Sequence, residues 1–186
     1  MQVAQKTKEN NIAEHVLYMF QIEDLIRANN FDLDTISNTI LEPQIKDKDL
    51  LKSYQNWYKD LIKKMKLEGV KDTGHTSDIN EILMELLMLH DTLLNILKDK
   101  KYAEVYEKAL PALKDFQQKS NGANINIIEV AFNALYSKLI LSLKGQKFTP
   151  ATQEAFKSIS NLVAHLAAYY KKMKNGELVP NQINLN

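Results

Sequence analysis

The stretch Asn11–Asn29, NIAEHVLYMFQIEDLIRAN, decides the fold. Its apolar residues fall on nearly every side of a helix, a pattern that predicts a helix buried inside a bundle. Three charged residues, Glu23, Asp24 and Arg27, interrupt it. Glu23 projects near the middle of an apolar stripe, and Arg27 follows at a spacing that lets it reach back to either carboxylate. We therefore expect charge in the protein interior, where it needs a partner.

The rest of the chain favours an all-α fold. It has 186 residues, 45% of them hydrophobic and 25% charged, which is typical of a globular domain with a substantial core. Five glycines and four prolines leave little turn chemistry for a sheet, and no run alternates with period two. The sequence predicts an antiparallel bundle of six or seven helices, with residues 1–175 forming one domain and residues 176–186 a C-terminal tail.

Six more helices follow the first. Capping residues and apolar spacing predict a short helix capped by Asp34 and ended by Pro43, and helices from Asp47 or Asp49 to Gly69, Ser77–Leu97, Lys101–Lys119, Asn126–Lys144 and Pro150 to Gly176. The first, fourth and sixth are expected to be the most buried, and residues 120–124 to form a turn. Trp57 lies mid-stripe and is predicted to be largely buried, whereas Pro111 should kink its helix with the ring in water.

Composition also limits the partners, the cysteine chemistry and the cellular location that we expect. The net charge of +1 provides no field to attract nucleic acid or an anionic membrane, so neither is an expected partner. The absence of cysteine excludes disulfides and thiolate chemistry. The polar opening MQVAQKTKEN lacks a signal-peptide core, and the apolar run Ile82–Leu89 is too short to cross a bilayer. We expect a cytoplasmic protein.

Glu23 and His90 form the first candidate site, because each lies in the centre of an apolar face on a helix expected to be buried. If the two meet, Glu23 should be ionised and the pKa of His90 should rise above its usual value, unless desolvation outweighs the pairing. The pair could be an acid/base site or ligand anchor, or a buried pair that fixes helix register. A structural role predicts that Glu23→Gln destabilises the protein.

Arg27 and His75 complete the candidate polar cluster of Glu23, Asp24, Arg27, His75 and His90. Arg27 is the only arginine of the chain, and its planar guanidinium suits an internal carboxylate or a bound phosphate or carboxylic acid. His75 follows a glycine in a predicted loop, where it could contact a ligand or metal or simply be an exposed polar residue.

No other sequence pattern predicts a metal site or a catalytic site. The chain lacks the metal motifs H-E-x-x-H and Glu-x-x-His and the motifs G-x-S-x-G, P-loop and G-x-G-x-x-G, so we expect no metal, cofactor or catalytic nucleophile. His15 is expected to pack and His165 to face solvent. A basic stripe on the third helix is expected to be a solvated face rather than a phosphate-binding one; it consists of Lys52, Lys59, Lys63 and Lys66.

Several strings are similar to those of a known family. The opening NIAEHVLYMFQIEDLIRA is the most specific, and EGV…GH (from Glu68 to His75), LHDTLL, YEKALP and FNALY follow in order. Over residues 5–174 they resemble an all-helical Bacteroidetes family catalogued only as a domain of unknown function. His15 departs from the aromatic residue expected there. The resemblance implies a cytosolic bacterial protein and carries no activity.

Two function classes fit these observations. The first is a non-enzymatic helical module that binds an unknown protein partner or self-associates, which the absence of catalytic motifs favours. The alternative is a small-ligand-binding or hydrolytic protein that uses Glu23, Arg27, His75 and His90. Open access to these side chains would favour the alternative, whereas a sealed and mutually satisfied cluster would favour the first.

Overall fold

The computed structural model of the protein describes residues 7–120 and 125–178. In that part of the chain all regular secondary structure is helical and no strand occurs, which confirms the all-α class. A helical turn at residues 7–10 precedes seven helices: α1 Ile12–Ala28, α2 Leu33–Ile36 continued by a π-helical turn Ser37–Leu41 and by Glu42–Gln44, α3 Lys48–Leu67, α4 Ser77–Asp91 continued by a π-helical turn Thr92–Ile96, α5 Lys100–Lys119, α6 Ile127–Leu143 and α7 Pro150–Lys174.

Capping chemistry sets most of the helix ends where the sequence predicts them. The Thr149 side chain accepts a hydrogen bond from the backbone of Thr152, and Pro150 occupies the first turn of α7. Gly69 follows α3 with a φ of +72°, a conformation that glycine adopts without strain. The predicted cap Asp34 is wrong, because Asp32 accepts the capping hydrogen bond from the Asp34 N–H. Pro43 does not end α2, which continues to Gln44.

The helices group into two compact units. The first contains most of α1, all of α2 and α3, and the start of α4 up to Glu81. The second contains Asn11–Ala13 and the chain from Ile82 onward, with the rest of α4 and with α5, α6 and α7.

Burial follows the predicted ranking of helices. Helices α1, α4 and α6 have the largest shares of buried residues among the seven helices, as their apolar patterns indicate. Val16 and Ile26 are fully buried in α1, and Leu86 in α4 is nearly so. Helix α6 buries two of its faces in its first half, including Val130 and Phe132. A helix that is apolar on more than one side can only be satisfied inside a core.

Trp57 has intermediate exposure, and the neighbouring aromatic residue of α3 is the more deeply buried of the two. Tyr58, the next residue of α3, occupies the buried position with 3% exposure, whereas Trp57 is partly exposed. The two rings meet edge to face, with centroids 5.1 Å apart. One residue corresponds to a rotation of about 100° around the helix. Both positions border the apolar stripe, so the pattern alone could not decide which of these aromatic residues faces the core.

Helix α5 runs without a break from Lys100 to Lys119 through Pro111, which is exposed. A proline removes one backbone N–H and is tolerated most easily where the affected carbonyl can meet water. The predicted turn at residues 120–124 lies mostly outside the described residues, as does the part of the predicted tail from residue 179 onward.

In the second unit, α5 and α7 pack side by side in opposite directions. The Tyr169 hydroxyl near the end of α7 donates to Asp99, which caps the start of α5, at 2.5 Å. At the other end, Phe116 of α5 lines the same cavity as Ala151 and Phe156, in the first part of α7. The antiparallel arrangement predicted for the bundle is therefore present for this pair.

Candidate functional site

Glu23 is the centre of a polar cluster inside the first unit. Its residue is fully buried, and three hydrogen bonds satisfy its carboxylate. The backbone N–H and the hydroxyl of Thr76 donate to Oε1 at 3.0 and 2.9 Å. The imidazole of His75 lies 2.6 Å from Oε2 through its Nδ1 atom. This number of donors is what a buried carboxylate needs to offset its lost hydration.

His75 is held from two sides. Its ring stacks on Phe20 with centroids 3.7 Å apart and an angle of 6° between the planes. Because a carboxylate can only accept, Nδ1 carries a hydrogen and donates it to Glu23. In the neutral ring the lone pair is therefore on Nε2, for which no partner exists among the described residues. The side chain is 18% exposed.

Arg27 fastens the loop that carries His75. Its Nη1 donates to Asp24 at 2.8 Å, and its Nη2 donates to the backbone carbonyls of Val70, at 3.1 Å, and Gly74. A planar guanidinium can serve these acceptors together, which an ammonium group cannot. The Nε atom of Arg27 is buried and has no partner among the residues described, so the clamp is not fully satisfied.

A second carboxylate meets the start of α4. The backbone N–H and the hydroxyl of Ser77 both donate to Glu68 at 2.7 Å. Burial acts to raise the pKa of Glu68, but these hydrogen bonds and the nearby Lys64 lower it overall. The Thr76 carbonyl accepts from the first turn of the helix, so Thr76 rather than the predicted Ser77 is the boundary residue. Negative charge at a helix N-terminus is favourable.

His90 does not belong to this cluster, and the predicted pairing of His90 with Glu23 is wrong. Its Nδ1 lies 2.7 Å from the hydroxyl of Tyr102, inside the second unit. The Tyr102 hydroxyl has no other partner among the described residues, so it donates to Nδ1 rather than leave its hydrogen unpaired. Burial lowers the pKa of His90 despite the charge of Asp91, so desolvation decides the direction, which is the exception that the prediction allowed.

A hydrogen-bonded path continues from His90 across the second unit. The backbone N–H of Tyr102 donates to Asp99 at 2.9 Å, and Asp99 also accepts from Tyr169. Burial and the contact with Asp99 raise the pKa of Tyr169 to about 12. These groups therefore all remain in their ordinary protonation states near neutrality, which suits a structural network.

The chemistry available to the first cluster is narrow. No group of three or more His, Asp or Glu side chains within the described ranges could hold a metal ion. Two cavities lie between α5 and α7, and neither is lined by a residue of the cluster. Nε2 of His75 is its one reactive atom, and it could act as a base or a nucleophile.

A family model covers residues 1–177, and its description reads "Domain of unknown function (DUF4924)". The chain belongs to the DUF4924 family. No curated protein and no solved structure matches it. The DUF4924 match includes every residue of the predicted polar cluster and extends over both compact units as far as residue 177, and it assigns an activity to neither. Among the described residues of this DUF4924 protein, no helix is long and apolar enough to span a membrane.

The structure also describes the remaining predicted positions of this DUF4924 chain. His15 is buried and its Nδ1 lies 3.3 Å from the Thr7 hydroxyl. His165 donates to the carbonyl of Asn161, one turn earlier in α7. The predicted lysine face on α3 is exposed at all four positions, Lys52, Lys59, Lys63 and Lys66. Sequence reasoning missed Thr76, whose only signal is its position before the predicted cap.

Proposed function

We propose that the protein is a non-enzymatic helical module of the bacterial cytosol that acts by binding another protein molecule. The observation that carries the proposal is an exposed apolar stripe on α4, formed by Met84, Met88 and Ile96. Their exposures are 55%, 64% and 74%, unusually high for such large apolar side chains. Methionine side chains are flexible and polarizable, and they recur on surfaces that bind protein helices.

The π-helical turn aligns the third residue with the other two. Met84 and Met88 are one turn apart and share a face. In an unbroken α-helix Ile96 would lie about 80° away from Met88. The π-helical turn Thr92–Ile96 adds about one residue to a turn, which rotates the following side chain back by roughly 100°. The three side chains then form a single stripe.

The first unit supports a structural rather than a catalytic role for its cluster. Glu23 is sealed from solvent and its two oxygens accept three hydrogen bonds. The hydrogen bonds of Arg27 among the described residues go to Asp24 and to the loop backbone, and its unpaired Nε is buried. A carboxylate and an arginine that are used internally fit a device that fixes the loop before α4.

Site-specific photo-crosslinking tests the proposal. Benzoylphenylalanine at Met88 should give a discrete protein adduct on irradiation in cells, because the stripe is covered by its partner there. The same group at Glu104, an exposed position of α5, is the matched control. The adduct should disappear with Met84→Glu in the same chain. Equal labelling from both positions, or an adduct that survives Met84→Glu, would contradict the proposal.

A second candidate function follows from Nε2 of His75. The imidazole is oriented by Glu23 and Phe20, its Nε2 lone pair has no partner among the described residues, and its side chain is 18% exposed, an arrangement that suits hydrolysis of an activated ester. If His75 has this function, His75→Asn should lower the rate of nitrophenyl acetate cleavage to the background rate that the other histidines produce. His165→Asn is the matched control at a partly exposed histidine outside the cluster. Equal rates in both variants would exclude this candidate.

A further inference from the structure

The second unit contains a groove that faces solvent between α5 and α7. It encloses about 1030 Å³, and its apolar part is formed by Val105, Pro111, Ala112, Ala151 and Ala155. A smaller cavity of about 330 Å³ shares its three alanines and continues it toward Lys119. The two extend over 15 residues of α5, from Val105 to Lys119, or about 21 Å.

We propose that this groove receives the α4 stripe of a second copy of the chain. The proposal rests on the proposed function, and it names the partner of the same surface. The stripe runs from Met84 to Ile96, which is about 18 Å along the helix and fits within the groove. Large side chains on one surface thus meet alanine positions on the other, the arrangement by which an amphipathic helix binds in a groove.

The charges beside the two surfaces also favour docking of the stripe in the groove. The exposed carboxylate of Asp91 lies one turn beyond Met88. The groove is bordered by Lys108 and Lys157, both exposed, and Lys157 already pairs with Glu154 at 3.5 Å. Glu154 offsets the charge of Lys157, so the carboxylate of Asp91 on a second copy would approach Lys108. Such contacts at a rim contribute mainly to orientation and rate of association.

The interface joins two different surfaces of the same chain. Each copy that docks its stripe still offers an open groove, and the copy that receives it still offers an open stripe. Association of this heterologous kind continues into rings or filaments rather than stopping at a symmetric dimer. The mass should therefore rise beyond that of a dimer as the protein concentration increases.

Sedimentation of two variants, alone and mixed, tests this arrangement. Met88→Glu places a charge in the stripe, and Ala155→Arg fills the groove; each should weaken self-association at least about tenfold. A mixture of the two should recover association but stop at twice the monomer mass, because one variant retains the groove and the other the stripe.

Matched controls separate docking from folding and from general stickiness. Leu143→Glu removes another large exposed side chain, and Ala164→Arg makes the same change as the groove variant at an exposed position of α7. Both should associate like wild type. Unchanged thermal midpoints show that the variants fold, and the exposed groove position Ala151→Arg replaces Ala155→Arg if that variant unfolds.

Three results would overturn the inference: a wild-type chain that stays monomeric throughout, a mixture that fails to recover association, and controls that weaken it equally. A monomeric chain whose Met88 crosslinks to a different protein would overturn this inference and leave the proposed function standing. Loss of the Met88 crosslink itself would overturn both.

Discussion

The two polar clusters show how a helical core satisfies a charged group and a neutral one. Glu23 draws three hydrogen bonds from two consecutive residues, His75 and Thr76, which an arginine-clamped loop delivers to it. His90 needs a single hydroxyl, that of Tyr102, supplied by the following helix. A buried carboxylate loses far more hydration energy than a neutral imidazole, so it requires more donors. The difference predicts unequal costs when each cluster is broken.

The largest effect is expected at Glu23. Glu23→Ala should lower the free energy of unfolding by about 3–5 kcal/mol, because Thr76 and His75 lose their buried acceptor. Glu23→Gln should cost less, since the amide oxygen still accepts from Thr76 and neutral His75 can carry its proton on Nε2 instead. Urea unfolding of the three proteins measures this order.

Glu14→Ala on the exposed side of the same helix is the control for the Glu23 variants, and it should change stability by less than about 1 kcal/mol. A Glu23→Ala protein as stable as that control would show that the cluster does not hold the fold. It would also strengthen the case for the second candidate function.

Arg27→Lys should have a smaller effect, about 1–2 kcal/mol. Lysine keeps the charge but cannot bridge Asp24 and the carbonyls of Val70 and Gly74. The unsatisfied Nε of Arg27 limits what is lost. Hydrogen exchange of loop residues 70–76 should accelerate as well. Asp24→Asn, which changes only the half-exposed partner, is the comparison; equal losses in both variants would locate the effect in the ion pair instead.

Tyr102→Phe tests the neutral cluster and should cost about 1–2 kcal/mol, because it removes the hydroxyl and leaves Nδ1 of His90 without its donor. Tyr169→Phe is a control for loss of a hydroxyl that is only partly buried. Chemical denaturation of both variants gives the comparison. A loss that exceeds that of Glu23→Ala would reverse the proposed ranking of the clusters.

The smallest effect concerns pH. Burial lowers the pKa of His90 below its usual 6.5, so the unfolded chain binds a proton there more readily than the folded one. Its contribution to stability is therefore complete above pH 6.5 and declines as the pH falls from 6.5 through the lower folded value. An NMR titration of the imidazole should show a midpoint below 6.5. A midpoint above it would indicate the carboxylate pairing that the sequence predicted.

Particular residues show where sequence reasoning succeeds in this protein. Apolar spacing located all seven helices, and short-range chemistry placed the ends at Gly69 and Thr149. It also marked Glu23 and His90 as buried polar residues, which both are. Local patterns could not choose the partner of Glu23, because His75 is 52 residues away in a loop without periodicity. The same limit explains why the pattern did not single out Tyr58, which is more deeply buried than Trp57.

The sequence by itself determined the helical class, the helix boundaries to within a few residues and the presence of charge in the core. These follow from interactions between residues three or four positions apart, which any reader of the chain can enumerate. Tertiary structure alone decided that His75 rather than His90 meets Glu23, that Arg27 clamps a loop, and that a π-helical turn aligns Ile96 with two methionines. Such outcomes depend on loop path and helix rotation, which are selected by packing among residues far apart in the chain.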